Sequence, residues 1–312
     1  MVAKPGLDDA TQSKLLLVLL AFCWGLSWPA LRIALDELTP WTTRLLSYCI
    51  GSAALIVLLK VQGRSLHIPS GRLGRNWIHL VIAGMLNVVA FGLFGTFAQL
   101  STATTRVVII NYSMPIWSSI MAWLILRERM NAWALTGLAL CVAGLTVLVY
   151  PVAATSVQEP TGLILAFLCS LSWAAGTIYM KAVRIEGDLL TIVMWQIVVG
   201  VVVFAFGYLI FVGPPVLEPL QLRTWLGVAW SGVLGTAAAY FIWYNIIGKV
   251  STATASLGTL ANPVIGVIGS VILLGERLTM ADIVGFALIF AAAACVLLQP
   301  QKHAAARART GA

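Results

Sequence analysis

Charge is what this sequence has least of. Asp, Glu, Lys and Arg supply 10% of its 312 residues, and hydrophobic residues supply 60%, whereas a soluble domain carries about 25% charged residues. No water-soluble core absorbs that much apolar surface, so an ordinary soluble domain is excluded. Acids are missing where they would matter most. None of the eleven falls near the centre of an apolar run, and intramembrane acids are the usual proton relays and counter-ions, which argues against carboxylate-based proton antiport. The cysteines Cys23, Cys49, Cys141, Cys169 and Cys295 are odd in number and all sit in apolar segments. They read as small buried hydrophobes and not as a disulfide or metal framework. The sequence also lacks a Gly-x-Ser-x-Gly turn, histidines paired at metal or haem spacing, and an Asp-rich cluster, so it asks for no metal or other cofactor and does not read as an enzyme. No small-residue cleavage site follows the first apolar run, which continues past Pro29, so that run is expected to be a span and not a signal peptide.

What the chain does have is apolar runs of about twenty residues, repeated along almost its whole length, each long enough to cross roughly 30 Å of hydrocarbon as a helix. The fold class expected is an all-α integral membrane protein. Its ten spans are placed at about 15–35, 41–61, 77–100, 102–126, 133–150, 161–183, 189–212, 225–247, 252–274 and 280–298. The connections leave no room for a soluble domain. Of the 19 Lys and Arg, only Arg32, Arg44, Arg106, Arg223 and Arg277 fall on the side holding the turns after spans 1, 3, 5, 7 and 9. By the positive-inside rule the other side is the cytoplasm, with both termini there, in a bacterial inner or plasma membrane. The formal charge of +8 therefore reports topology and a lipid bilayer partner, not a nucleic acid.

The chain also repeats itself. "LAFCWGLSW" (20–28) matches "LAFLCSLSW" (165–173), and "STAT" at 101–104 recurs at 251–254. Pro115 pairs with Pro263, Glu128-Arg129 with Glu276-Arg277, and Gly137 with Gly285, at a common offset. The expected division is residues 1–150 and 151–312, with five spans in each copy and a basic tail at the end. Because five is odd, the second copy enters the membrane from the opposite side. Inverted repeats of this kind are common in secondary transporters, which bind near the midplane between the halves.

"WGLSW" in span 1, "NYSMPIWSSIMAWLILRERM" closing the first half and "NPVIGVIGSVILLGERLT" closing the second resemble the drug/metabolite transporter superfamily, in its ten-span EamA-like branch. The tryptophan- and tyrosine-rich spans are most similar to exporters of aromatic and other amino acids. The resemblance implies a central substrate cavity formed mainly by spans 1, 3, 4, 6, 8 and 9, with spans 5 and 10 peripheral, and alternating access. It also implies a small amino acid-like substrate and no obligatory oligomer. Where many relatives carry Glu-Pro in the ninth span, this sequence has Asn262-Pro263, which removes a carboxylate from that position.

Proline in a span removes a backbone donor and frees the carbonyl four residues earlier. Pro29, Pro115 and Pro263 do this to Gly25, Asn111 and Thr259, and are read either as packing kinks or as helix breaks lining the pathway. Asn87, Asn111, Asn245 and Asn262 must find partners away from lipid, as helix-to-helix glue or as contacts for a substrate's polar head. Asn87, Asn111 and Asn262 are carried forward as substrate contacts. Trp41, Trp77, Trp133 and Trp225 sit at span ends and read as interfacial. Trp28 and Trp173 are paired by the repeat inside spans 1 and 6. With Tyr112, Tyr179, Tyr240 and Tyr244 they form either an amphipathic wall for an apolar side chain or ordinary core. Glu128-Arg129 and Glu276-Arg277 close spans 4 and 9 on opposite faces and are read as hairpin locks. His79 reads as a hydrogen-bonded structural histidine. Arg44, Arg106 and Lys181 are placed near span ends and not in a cavity, where the phosphates of a nucleotide sugar would want them; with no acid near the centre of a span, a substrate ammonium would meet carbonyls and helix-end dipoles instead of a formal charge. The function classes that remain are an exporter of small amphiphilic metabolites, an exporter of drugs or nucleotide-type metabolites, and a membrane scaffold.

Overall fold

The computed structural model describes residues 9–71, 74–128, 130–151, 158–213, 219–246 and 252–298. Among them every regular element is a helix, which is what hydrocarbon demands of a chain whose backbone groups find no water. Span 1 is Asp9–Gly25 and Ser27–Ala34, span 2 Pro40–Val61, span 3 Asn76–Ser101, and span 4 Thr104–Asn111 with Met114–Leu126. Span 5 is Ala132–Val149, span 6 Gln158–Val183, and span 7 Leu189–Phe211. Span 8 runs from Leu222 to Ile246, span 9 is Thr252–Leu274, and span 10 Met280–Leu297. Nine stretches among the described residues are long and apolar enough to cross a bilayer, and a shorter apolar stretch, Thr259–Leu274, lies in span 9. Large side chains such as Val57, Phe206 and Ile272 stand exposed on the outer surface, as lipid-facing groups do.

Local chemistry stops and starts the helices at repeat-related places. Thr39 caps span 2 by accepting from Thr42 N at 3.2 Å, and Asp188 caps span 7 by accepting from Thr191 N at 3.0 Å. Asn131 caps span 5 through Ala134 N at 3.0 Å. Thr279 and Asp282 form a reciprocal capping box on span 10. Each cap satisfies donors that a helix start leaves orphaned.

Packing shows the inversion directly. Span 2 lies against span 7, and span 5 against span 10. Span 3 packs on span 6 as span 8 packs on span 1; span 4 packs on span 6 as span 9 packs on span 1. Exchanging the halves leaves this set of contacts unchanged, as a pseudo-twofold between the repeats requires. The turns sort onto two faces. Arg64 pairs with Asp188 at 3.4 Å, and Asn76 Nδ2 donates to Glu186 O at 2.8 Å, joining the turns after spans 2 and 6. On the other face Glu37 accepts from Gln221 N at 3.0 Å, joining the turns after spans 1 and 7. Glu276 accepts from Thr104 N at 2.7 Å at one end of span 4, and Glu128 follows the other end. Span 4 is 23 residues long, which separates its ends by roughly 34 Å, so the two glutamates occupy opposite faces.

Two features depart from expectation. Spans 3 and 8 contain wide π-helical stretches, Met85–Ala90 and Trp230–Ala238, at overlapping positions of the two repeats. The proline breaks are also unequal. Span 1 is interrupted at Leu26, with Pro29 in the turn that follows, and span 4 at Tyr112-Ser113, with Pro115 in the first turn of the next helix. Pro263, by contrast, lies inside an uninterrupted helix. The expected break there is corrected: losing one backbone bond did not stop a 23-residue helix.

Candidate functional site

Between the halves lies a cavity of about 930 Å³. Glu128, Met130 and Asn131 line its mouth, with Glu128 and Asn131 exposed to solvent. Its walls are supplied by all ten spans, span 5 through Ala134 and span 10 through Ala293, Val296 and Leu297, so spans 2 and 7, absent from the expected set, take part, and spans 5 and 10, expected to be peripheral, reach the lining as well. Both π-helical stretches border it, through Asn87 and Val88 in span 3 and Ser231, Gly235 and Thr236 in span 8. A π turn displaces backbone and aims side chains off the regular helical rows.

The aromatic wall centres on Phe91. Its ring lies 6.0 Å from that of Trp28, edge to face, and 4.9 Å from that of Trp173. The two repeat-related tryptophans therefore meet on one phenylalanine. Gln99 Nε2 donates to Trp28 O at 2.9 Å and holds the first of them. Tyr240 also lines the cavity, against Trp24 at 6.0 Å.

The amides sit between the elements they were expected to join. Asn87 Nδ2 donates to Gln196 Oε1 at 3.3 Å and to Met180 Sδ at 3.4 Å, tying spans 3, 6 and 7. Asn111 stands at the break in span 4, and Asn262 is hydrogen-bonded to Tyr112 across spans 9 and 4. All four of these side chains line the cavity. The Oδ1 atoms of Asn87, Asn111 and Asn262 are buried without a donor, and an unmet buried acceptor costs about 1–3 kcal/mol.

Other expected residues fall elsewhere. Tyr179 does not line the cavity; its hydroxyl is 2.7 Å from His79 Nδ1. Pro115 lines the cavity, whereas Pro29 and Pro263 do not, Pro29 facing Gly269. The side chain of Tyr244 and the whole of Arg129 lie outside the described residues. Glu276 holds the start of span 4, accepting from Thr104 N and, at 2.8 Å, from Thr105 N. Its partner is thus a turn of the other repeat and not its own hairpin. Arg277 is exposed. Glu128 pairs with Lys181 at 2.6 Å across the mouth.

Arg44 is where the expectation was most in error. It is 9% exposed and lines the cavity at the end away from the mouth. Arg44 Nε donates to Gly92 O at 3.3 Å, the guanidinium lies 5.7 Å from the Tyr48 ring centre, and Tyr48 donates to Val88 O at 3.2 Å. Gly92 makes room for this pair: a methyl group there would sit 2.6 Å from Tyr48 Oη. The signal was present in the sequence. Thr43, Arg44, Ser47, Tyr48, Gly51 and Ser52 follow helical spacing, and this polar and small stripe is the buried face of span 2, because lipid takes the apolar one.

The opposite end of the bundle is held shut by contacts between the repeats. Besides the Glu276 clasp, Arg106 pairs with Asp282 at 2.8 Å, and Asp36 with Arg223 at 2.9 Å.

The EamA-like transporter family model matches this chain twice, over residues 12–150 and 160–298. The chain is similar to YoaV of Bacillus subtilis, described as an uncharacterized transporter, at 22% identity over 85% of this chain and 90% of that one. It is likewise 22% identical to a probable amino-acid metabolite efflux pump of Escherichia coli, over 88% of this chain and 91% of the other. One solved crystal structure superimposes with a TM-score of 0.62, covering 93% of this chain and 96% of its own, at 19% identity; that likeness is one of fold.

Proposed function

The chain belongs to the EamA-like transporter family, and from that premise we propose that it exports small amphiphilic metabolites, amino acids with aromatic or other apolar side chains among them, by alternating access. It is a multi-pass membrane transporter; substrate, direction and orientation are the proposal. The observation that carries it is one cavity between inverted repeats, open at the Glu128 end and clasped at the Glu276 end. Trp28, Phe91, Trp173 and Tyr240 offer an apolar body to a side chain. Asn87, Asn111, Tyr112 and Asn262 offer polar atoms to a head group, with Pro115 and Pro263 shaping the helices that carry them. The efflux relative supports amino acid-like cargo.

The positive-inside rule puts the mouth and both termini in the cytoplasm of a bacterial inner membrane, so the structure stands inward-open. The halves, residues 1–150 and 151–312, would rock against one another about the fixed site. Glu276, with Arg277 beside it, acts as a clasp on the outer face; Glu128 occupies the equivalent place on the inner one.

Counterflow in proteoliposomes tests the reading. Vesicles loaded with unlabelled L-phenylalanine or L-tryptophan are expected to accumulate the labelled amino acid saturably. Folded protein that moves no amino acid saturably would overturn the substrate class.

A further inference from the structure

The cavity ends in an unmatched positive charge. Arg44 is buried within a membrane span and faces the cavity. Among the described residues no carboxylate lies within ion-pair distance of it: Asp36, Asp188, Asp282 and Glu128 pair with Arg32, Arg64, Arg106, Lys181 and Arg223 instead. Its hydrogen-bond and ring partners are a single carbonyl, Gly92 O, and the Tyr48 side chain. Five N–H donors on a planar fork are far from satisfied by these. An intramembrane cation is expensive, and one that faces a cavity marks a ligand pathway with an opposite charge as its partner. Glu128 is the acidic residue on the lining, but it stands at the mouth and is neutralised by Lys181.

We infer that Arg44, flanked by Tyr48, binds the carboxylate of the transported molecule at the deep end of the cavity. This rests on the transport reading above and narrows its substrate class to organic carboxylates with an apolar body. The geometry gives each part a place. The guanidinium fork matches a carboxylate edge to edge. Trp28 lies within reach of the same pocket, since a methyl on Gly95 would be 3.6 Å from both Trp28 Cζ3 and Arg44 Nη2. The Trp28, Phe91 and Trp173 cluster then covers the apolar body. Arg44 is the sole Lys or Arg on the described lining. One guanidinium suits a monoanion better than a phosphate ester, which carries nearly two charges at neutral pH.

The test uses the full chain in detergent and ligand-induced thermal stabilisation, with matched probes: 3-phenylpropionate, 3-phenylpropionamide, L-phenylalanine and phenethyl phosphate. The carboxylates are expected to bind roughly ten- to hundred-fold more tightly than the amide, the range for a hydrogen bond to a charged group. Arg44→Met should abolish that preference, and Arg44→Lys should retain part of it, since the charge remains and the fork does not. Should Arg44→Met fail to fold, the wild-type acid-to-amide ratio and the Lys variant still decide. Equal binding of acid and amide, a preference that survives in Arg44→Met, tighter binding of the phosphate, or no stabilisation by any carboxylate would each overturn the assignment. Flux in proteoliposomes separates the two readings. Acid-selective binding without flux would remove the export proposal and leave the anion site, whereas equal flux of acid and amide would do the reverse.

Discussion

At the scale of single residues, Asp282 has two duties at once. It is 2% exposed, its carboxylate accepts from Arg106 Nε at 2.8 Å, and it completes the capping box with Thr279. Removing Asp282 breaks a buried hydrogen bond between charged groups, at a cost of about 1.5–3 kcal/mol, and the lost cap adds about 1 kcal/mol. Asp282→Ala is therefore expected to lower the thermal midpoint in detergent by far more than Asp36→Ala, whose ion pairs are solvent-exposed. Arg127 makes the opposite case. It sits in the left-handed region at φ 56°, where the second repeat places Gly275 at φ 68°. A side chain there costs roughly 1 kcal/mol, so Arg127→Gly should raise the midpoint slightly, and a lowered midpoint in the same assay would refute this account of the turn.

At the scale of helices, what the sequence made legible was what one dimension can carry. Apolar runs of membrane-spanning length gave the spans, and the repeated Pro to Glu-Arg pattern gave the inversion. The π-helical stretches were not legible, because a π turn is fixed by neighbours distant in sequence: Asn87 fits only because Gly176 opposite it has no side chain, and Gly235 likewise yields to Ser27. Arg44 was misplaced for a related reason. Counting from a span end measures depth but not which face looks inward, and the stripe from Thr43 to Ser52 carried that second coordinate. Pro263 was misjudged because span 9 is buried at that point, so its neighbours hold the helix together where the bond is lost. These packing differences predict different phenotypes. A methyl on Gly285 would lie 2.5 Å from Leu148 Cγ in the seam between spans 5 and 10, away from the cavity lining. Gly285→Ala is expected to cost about 1–3 kcal/mol by overpacking while flux per folded molecule holds. Gly176→Ala should instead displace the Asn87 amide and lower flux, as counterflow on protein matched for monodispersity would show.

At the scale of the whole molecule, the two repeats are alike in sequence pattern but not in what their glutamates do, and that difference defines the present state. Glu276 accepts from the first two N–H groups of span 4, whereas Glu128, its repeat equivalent, pairs with Lys181 at the open mouth. The offset that relates Glu128 to Glu276 relates Thr104 and Thr105 to Thr252 and Ala253, the start of span 9. If the halves exchange roles in the outward-open state, Glu128 should clasp span 9 and Glu276 should be released. A carboxylate on a helix start contributes about 0.5–2 kcal/mol, enough to change a two-state ratio by roughly 2- to 30-fold. Glu276→Gln is thus expected to favour the outward-open state and Glu128→Gln the inward-open one. The readout is Ser231→Cys, a buried cavity position, in a background with the five native cysteines replaced, labelled with an impermeant thiol reagent from either side of the membrane. Faster labelling from the Glu276 face in Glu276→Gln, and slower in Glu128→Gln, is the expected pair of results. Rates unchanged in both variants would show that the glutamates hold turns in place without governing which face opens.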